Sequence, residues 1–193
     1  VRAFNMSNST VSVAGSSGSL LDEFSLLGVE VSTGETSVFI DEFFCNWHPE
    51  RLLGKTVQVA EIDAKNIKVV LPVDGEEKPS KEESGGLTDV LLPFSIFIGK
   101  FQFEAFTLFS GEEEILQVKS GGLEGRLRGN EIFLSSLWAD ASWIKIAGSG
   151  FLKMGGDWPL NLVSDWELDF EEYGYSLMGG KGSFEGGLQK LNI

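Results

Sequence analysis

The sequence predicts an all-β protein: an elongated, strongly twisted antiparallel sheet that curls into a groove with an apolar interior and carries one short helix. The first observation is the composition, since 15 Phe and 24 Gly accompany only 5 Pro in 193 residues. This is typical of strands separated by tight turns. The second is an apolar spacing that recurs along the chain. The third is the shortness of most connections, which favours antiparallel neighbours because a crossover needs about a dozen residues or more.

The apolar spacing is clearest between residues 37 and 71, which we interpret as a strand, one helical turn and a second strand. In the second strand the apolar positions lie at offsets of 0, 2, 5, 7, 10 and 12, namely Val57, Val59, Ile62, Ala64, Ile67 and Val69. A regular strand keeps one parity on each face. A β-bulge absorbs the extra residue between pairs and increases the local twist. We therefore expect a bulged sheet that coils strongly about its long axis.

The same spacing returns after the next linker, at Ile96, Ile98, Phe101, Phe103, Phe106 and Leu108. Half-length copies of the spacing occur before and after these two strands, at Phe24, Leu26, Val29 and Val31 and at Ile132, Leu134, Leu137 and Ala139. We interpret the copies as one supersecondary unit reused along the sheet. The alternative is a set of ordinary strands in which both faces carry some apolar residues.

The other segments complete a single domain, residues 1–193. A short strand ends near Val13, and an arm at residues 18–31 leads into the central strands. Residues 72–88 carry most of the low-complexity charge and no apolar periodicity, which predicts an acidic, flexible loop. From residue 115 onward, Gly-rich turns separate short apolar runs and indicate a meander of hairpins. Residues 171–193 form either a last hairpin or an unfinished unit in this interpretation.

The one predicted helix is a single turn at Pro49–Leu53. Proline suits the first turn of a helix, and Gly54 suits a left-handed exit from it. We expect Trp47 and either Leu52 or Leu53 to close one end of the sheet, as a structural cap rather than a functional element.

Charge and cysteine usage exclude several classes of function. The net charge of −14 argues against nucleic-acid binding and against electrostatic adhesion to anionic lipid headgroups. Cys45 is the single cysteine, so the chain has no internal disulfide framework, and a small buried hydrophobe is the expected role. No run of 18 apolar residues is present to span a bilayer as a helix. The chain begins at Val1 in mid-pattern, so we expect a segment of a longer protein.

The candidate catalytic and metal-binding residues do not combine into a site. His48 is the only histidine and has no serine in an elbow motif near it. Residues 54–56 resemble the end of a phosphate-binding loop, but a strand follows rather than a helix. Asp41 with Glu42, and Glu112–Glu114, could supply paired carboxylates but are typical of solvated acidic surface. We therefore predict no enzyme activity, no metal site and no cofactor.

The remaining feature is an apolar face on the predicted sheet, with no predicted helix long enough to cover it. A sheet with one apolar face must meet a second sheet, curl onto itself or hold something apolar. A curled sheet left open would display an apolar groove of the kind that normally marks a ligand or partner site.

The order and spacing of several motifs resemble the N-terminal region of the TamB family, the AsmA-like, inner-membrane-anchored subunits of the translocation and assembly module. The motifs are GSLLDEFSLLGVEV, NWHPERLLGK, VQVAEIDAKNIKVVLP and, after an acidic linker, LPFSIFIGKFQFEAF. AGSGFLKMGGDWPLNLVSDWEL is similar to the small-residue strand of that family, which leads into an Asp-Trp-Pro-Leu segment, here residues 157–160. The similarity covers residues 15–170.

The resemblance implies a periplasmic protein tethered to the inner membrane by an N-terminal helix outside this chain. It implies a β-taco groove that conducts phospholipid toward the outer membrane, and a role in assembling outer-membrane proteins and autotransporters with a TamA- or BamA-type barrel, contacted through parts outside this chain. The phospholipid acyl chains would lie against the inward apolar positions, which are Val38, Ile40, Phe43, Val57, Val59, Ile62, Ile67, Val69, Ile96, Ile98, Phe101, Phe103, Phe106 and Leu108.

Three functions are consistent with the sequence. The first is a lipid conduit along the apolar groove. The second is a chaperone-like assembly factor that offers sheet edges to unfolded outer-membrane strands by β-augmentation. The third is a closed β-sandwich that binds or adheres, in which the apolar residues are only core. An open groove and a closed core share the same apolar pattern, so the sequence leaves both possible.

Overall fold

A computed structural model describes residues 2–6, 9–72, 92–155, 158–169 and 177–187. These ranges contain eleven strands and one 3-10 helix, Pro49–Gly54. The strands are β1 (Arg2–Met6), β2 (Ser9–Gly18), β3 (Glu23–Thr33), β4 (Thr36–His48), β5 (Thr56–Leu71), β6 (Ser95–Ser110), β7 (Glu113–Arg128), β8 (Glu131–Ala141), β9 (Ile144–Lys153), β10 (Pro159–Leu168) and β11 (Met178–Gly187). Of the predicted loop at 72–88 only Pro72 is described, and of the predicted terminal strands only residues 177–187.

The described strands form one sheet in which strand order follows chain order. Neighbouring strands are antiparallel, except that β5 and β6 are parallel. The all-β class and the short helix are therefore confirmed, and the expectation of antiparallel pairing throughout is wrong at one place. The connection at residues 72–94 exceeds the dozen or so residues that a crossover needs, whereas turns such as Gly34-Glu35 force antiparallel neighbours.

The parallel pair aligns the two full copies of the apolar spacing position by position. Val57 pairs with Ile96 at one end of the two strands, and Val69 pairs with Leu108 at the other. The spacing reads the same in both directions, so it fits a parallel neighbour as well as an antiparallel one. The register is well specified, because a slip of one residue would carry the apolar side chains to the other face.

The predicted changes of parity are confirmed, and there are two along the full spacing. At the first, Ala60 of β5 is skipped where β5 pairs with β4. One extra residue in each of six neighbouring strands produces the second. These residues lie at one level of the sheet and are skipped by the cross-strand pairing: Ala14, Gly28, Asp41, Asn66, Ala105 and Lys119. Gly28, Asn66 and Ala105 have a left-handed backbone, with φ of 58°, 52° and 58°. Because both partners carry an extra residue at this level, pairing resumes beyond it in most of these strands without a shift of register.

The sheet is neither closed nor strongly curled. The expected β-taco curvature is therefore wrong for the described residues, and so is the alternative of a closed β-sandwich. The main contacts between elements join sheet neighbours, and only five hydrophobic side chains of the described part are buried: Cys45, Val59, Ala64, Ala141 and Leu160. At the level of the matched extra residues, partner strands stay equal in length, which limits bending there. One-sided shifts of register occur elsewhere, such as between Asn46 and Trp47.

The short helix lies where the sequence predicted it, but its leucines do not close the end of the sheet. The left-handed exit is at Lys55, with φ of 55°, one residue later than expected. Leu52 and Leu53 are both exposed. The predicted capping role of these leucines is therefore wrong.

The left-handed backbone at Ala105 predicts that Ala105→Gly stabilises the protein. A non-Gly residue in this region costs about 1–2 kcal/mol, and the extra entropy of glycine in the unfolded chain costs about 0.5–1 kcal/mol. Because Ala105 is exposed, its methyl group contributes little packing. We expect the free energy of unfolding, measured with urea, to rise by about 0.5–1 kcal/mol.

Gly28→Ala is the matched control at the same level of β3. An added Cβ at Gly28 would lie 2.9 Å from the Cβ of Ala14, so we expect this variant to lower the free energy of unfolding. A loss of stability in Ala105→Gly would contradict the strain argument.

Candidate functional site

The candidate site is the apolar face of the sheet, defined by the predicted groove residues and their cross-strand partners. One ladder of side chains on this face runs from Leu26 through Phe43, Ala64 and Phe103 to Gly121, across β3–β7. Further ladders lie on either side of it. Its apolar side chains lie in the eight strands β3–β10, which at a spacing of about 4.8 Å give a face about 34 Å long across the strands.

Ring contacts place side chains from both sides of the bulge level on the same face. The rings of Phe101 and Phe103 have centroids 6.1 Å apart, and those of Phe103 and Phe106 are 6.0 Å apart. Residues three apart in a regular strand would lie on opposite faces. The contact between Phe103 and Phe106 therefore shows that the extra residue Ala105 restores the face.

The structure places every predicted groove residue in β4, β5 or β6 and brings them side by side in cross-strand pairs. In β4 and β5, Val38 pairs with Val69 and Ile40 with Ile67. The β5 positions pair in turn with Ile96, Ile98, Phe101, Phe106 and Leu108, while Phe103 and Phe43 flank Ala64. Val59 is buried, and the other predicted residues are half-buried, as expected for one layer with solvent on its surface.

The apolar face extends beyond the residues that the sequence predicted. It also includes Phe24, Leu26, Val29, Val31, Leu116, Val118, Leu123, Leu127, Ile132, Leu134, Leu137, Ile146, Leu152, Leu160, Leu162 and Trp166. The half-length copies of the spacing and the alternation in residues 160–168 were visible signals for many of these. Interspersed glycines obscured the rest.

Large side chains lie over several of these glycines. A Cβ at Gly121 would come within 2.6 Å of the Phe103 ring, and one at Gly180 within 2.7 Å of the Trp166 ring. Glycine in a strand commonly marks such a close approach. The rings therefore lie low across the neighbouring strands, which keeps the apolar face shallow and continuous.

The opposite face of the sheet, which we call the polar face, carries ion pairs among aromatic side chains such as Phe133 and Phe151, whose ring centroids are 4.9 Å apart. Lys65 Nζ lies 2.8 Å from a Glu42 carboxylate oxygen, and Lys100 Nζ lies 2.7 Å from Glu61. These hydrogen bonds are the main reason that the pKa values of both lysines are raised. Here a cleft of about 300 Å³ is lined by residues that include Asp63. The two faces of the sheet therefore differ chiefly in their charged side chains, which lie on the polar face.

The residues considered for chemistry are dispersed. His48 Nδ1 lies 3.5 Å from the Glu50 carboxylate near the surface. Cys45 is buried on the apolar face, and desolvation raises the pKa of its thiol, which disfavours the reactive thiolate. The described residues contain no group of three His, Cys, Asp or Glu that could hold a metal ion. No helix in the described ranges is both long enough and apolar enough to cross a membrane.

The fold and this surface define a single-layer, all-β protein with one apolar and one polar face. Comparison with known proteins adds nothing to this class, because no protein-family model, curated protein or solved structure matches the chain. Membership of the TamB family therefore stays a prediction from the motifs.

Proposed function

We propose that the chain is a segment of a periplasmic bridge that conducts phospholipid between the inner and outer membranes, with acyl chains against the apolar face. The observation that carries this proposal is a continuous apolar face with no described strand or helix packed across it. A contiguous apolar surface of this extent marks a binding site for a ligand or partner. The motif resemblance supports the periplasmic setting, the tether outside this chain and a TamA- or BamA-type barrel partner.

The length of the face favours a conduit over a pocket for one lipid. Half of the hydrocarbon core of a bilayer measures about 15 Å, which is the reach of one acyl chain along its axis. The apolar face extends about 34 Å across the strands. More than one phospholipid therefore fits in succession along the sheet.

The chemistry of the face suits lipid that moves. An acyl chain in a bilayer is already out of water, so transfer to an apolar protein surface requires little net free energy. The face carries few polar groups that would hold one headgroup in place. Acyl chains would lie on the ladders while headgroups stay in water at the ends of the strands.

Native mass spectrometry of the purified chain, with extraction of bound lipid, tests this proposal. We expect phospholipid to be retained in stoichiometric amounts, and to be replaced when the chain is incubated with vesicles of a different phospholipid. A lipid-free mass that takes up no added phospholipid would contradict the proposal.

A second candidate is the chaperone-like assembly factor, which the open β11 edge favours. Among the described strands, β11 pairs only with β10, and its sequence is Gly-rich. An unpaired edge can accept an added strand from another protein. Backbone pairing of this kind would not need the apolar face. A charge placed on that face would therefore leave the strand pairing unaffected.

A further inference from the structure

One end of the sheet presents a group of leucines to solvent. Leu20 and Leu21 lie in the turn between β2 and β3 and are 66% and 76% exposed. Leu52 and Leu53 lie in the 3-10 helix between β4 and β5 and are 47% and 93% exposed. Single exposed leucines are common on protein surfaces, but two adjacent pairs at neighbouring loop tips form a patch. We name the loops 19–22 and 49–55 the leucine end.

Hydrogen bonds from Trp47 join the two loops of the leucine end. Its indole Nε1–H donates to the carbonyl oxygen of Leu20 at 2.9 Å, and its backbone N–H donates to the carbonyl oxygen of Asp22 at 3.2 Å. The turn that carries Leu20 and Leu21 is therefore fixed to the strand that leads into the 3-10 helix. The four leucines belong to one connected platform.

The leucine end is continuous with the apolar face. Val57 and Ile96 form one of the last pairs of that face, directly behind the 3-10 helix. A cleft of about 440 Å³ lined by Leu52, Lys55, Val57, Pro93 and Phe94 opens at the same place. An acyl chain that left the apolar face at this end would therefore cross only a short distance before it reached the leucines.

Charge distinguishes the leucine end from the opposite end of the sheet. Within the leucine end, Asp22 and Glu50 are balanced by Arg51 and Lys55. The described loops at the opposite end contain Glu35, Glu112 and Asp169 and no lysine or arginine. In a chain of net charge −14, the leucine end is thus the one that can approach a phospholipid surface without strong repulsion.

We infer that the leucine end inserts into the interfacial region of a phospholipid bilayer and so places the end of the apolar face against the membrane. This inference rests on the proposed function, because it names the end at which lipid would enter or leave. Exposed leucines beside Trp47, with Arg51 and Lys55 nearby, match the composition of segments that lie in the headgroup region. A folded protein as the partner would need complementary polar contacts at the rim, and it becomes an outcome of the test.

Flotation with uncharged phosphatidylcholine vesicles tests the inference. The wild-type chain is expected to float with the vesicles, and the double variant Leu52→Ser with Leu53→Ser to bind at least tenfold more weakly, since each leucine removed from the bilayer costs about tenfold or more. The matched control is Leu71→Ser with Ile115→Ser, which removes two exposed apolar side chains near the opposite end of the sheet. We expect the control to float like the wild type. Circular dichroism of both variants checks that the sheet is intact.

The outcomes separate this inference from the proposed function. A wild-type chain that retains phospholipid in native mass spectrometry but does not float would overturn the inference alone. So would unchanged flotation of the leucine variant, or equal losses in the variant and its control. Thr107→Asp, on the polar face, is expected to leave flotation unchanged, because vesicle contact depends on the loop tips. Leucine loops that bound a protein but no vesicle would also overturn the inference.

Discussion

Phe103→Asp is expected to lower the amount of phospholipid that the chain retains about 100-fold. Phe103 lies in the middle of the apolar face, with the rings of Phe101 and Phe106 about 6 Å away on either side. A carboxylate held against hydrocarbon costs about 2.5–3.5 kcal/mol, and each 1.4 kcal/mol corresponds to about tenfold in affinity. The measurement is the ratio of lipid to protein after equilibration with vesicles and separation from them.

Thr107→Asp is the matched control for this prediction. Thr107 lies four residues beyond Phe103 in β6, pairs with Lys68 and belongs to the polar face. An aspartate at position 107 has Lys68 as a cationic neighbour and does not contact the acyl chains. Retention in Thr107→Asp should equal that of the wild type, and normal retention in Phe103→Asp would contradict the conduit.

Ala64→Asp is expected to lower the free energy of unfolding by about 3–5 kcal/mol, the cost of an uncompensated buried charge. Ala64 is only 3% exposed, and it lies between Phe43 and Phe103 in adjacent strands. Urea denaturation measures the loss. Burial would raise the pKa of the new carboxyl above its unfolded value, so the stability of the variant should fall as pH rises above about 4.

Asn66→Asp provides the comparison two residues further along β5. Asn66 is exposed and has a left-handed backbone that aspartate also tolerates. We expect a change of less than about 0.5 kcal/mol. Similar losses in Asn66→Asp and Ala64→Asp would mean that the burial of Ala64 does not decide the effect.

The sequence predicted the apolar face in detail because side-chain parity is a local property. The spacing at Phe101, Phe103 and Phe106 demanded one extra residue, and Ala105 is that residue. Strand direction was not predictable in the same way. The spacing is symmetric on reversal, so it carries no information on whether β5 and β6 run parallel.

Curvature and end structure depended on more than local pattern. The sequence indicated bulges, but only the pairing showed that Asn66 and Ala105 lie at the same level in neighbouring strands, which limits bending at that level. The apolar character of Leu52 and Leu53 suggested burial, yet both leucines lie within the short helix with their side chains exposed. Glycines such as Gly121 hid part of the face, because their place in the ladder is filled by a ring from the next strand.

The level of extra residues across β2–β7 has a consequence for how such a chain can evolve. Many single substitutions on this sheet alter one side chain and leave its neighbours in place. Loss of a single residue such as Ala105 would instead transfer Phe106 and Leu108 to the polar face while their partners in β5 and β7 stayed apolar. The number of residues in each strand is thus under stronger constraint than the identity of its side chains. A sheet of this kind can grow by copying whole strands, whereas insertions and deletions are tolerated only in the connections between them.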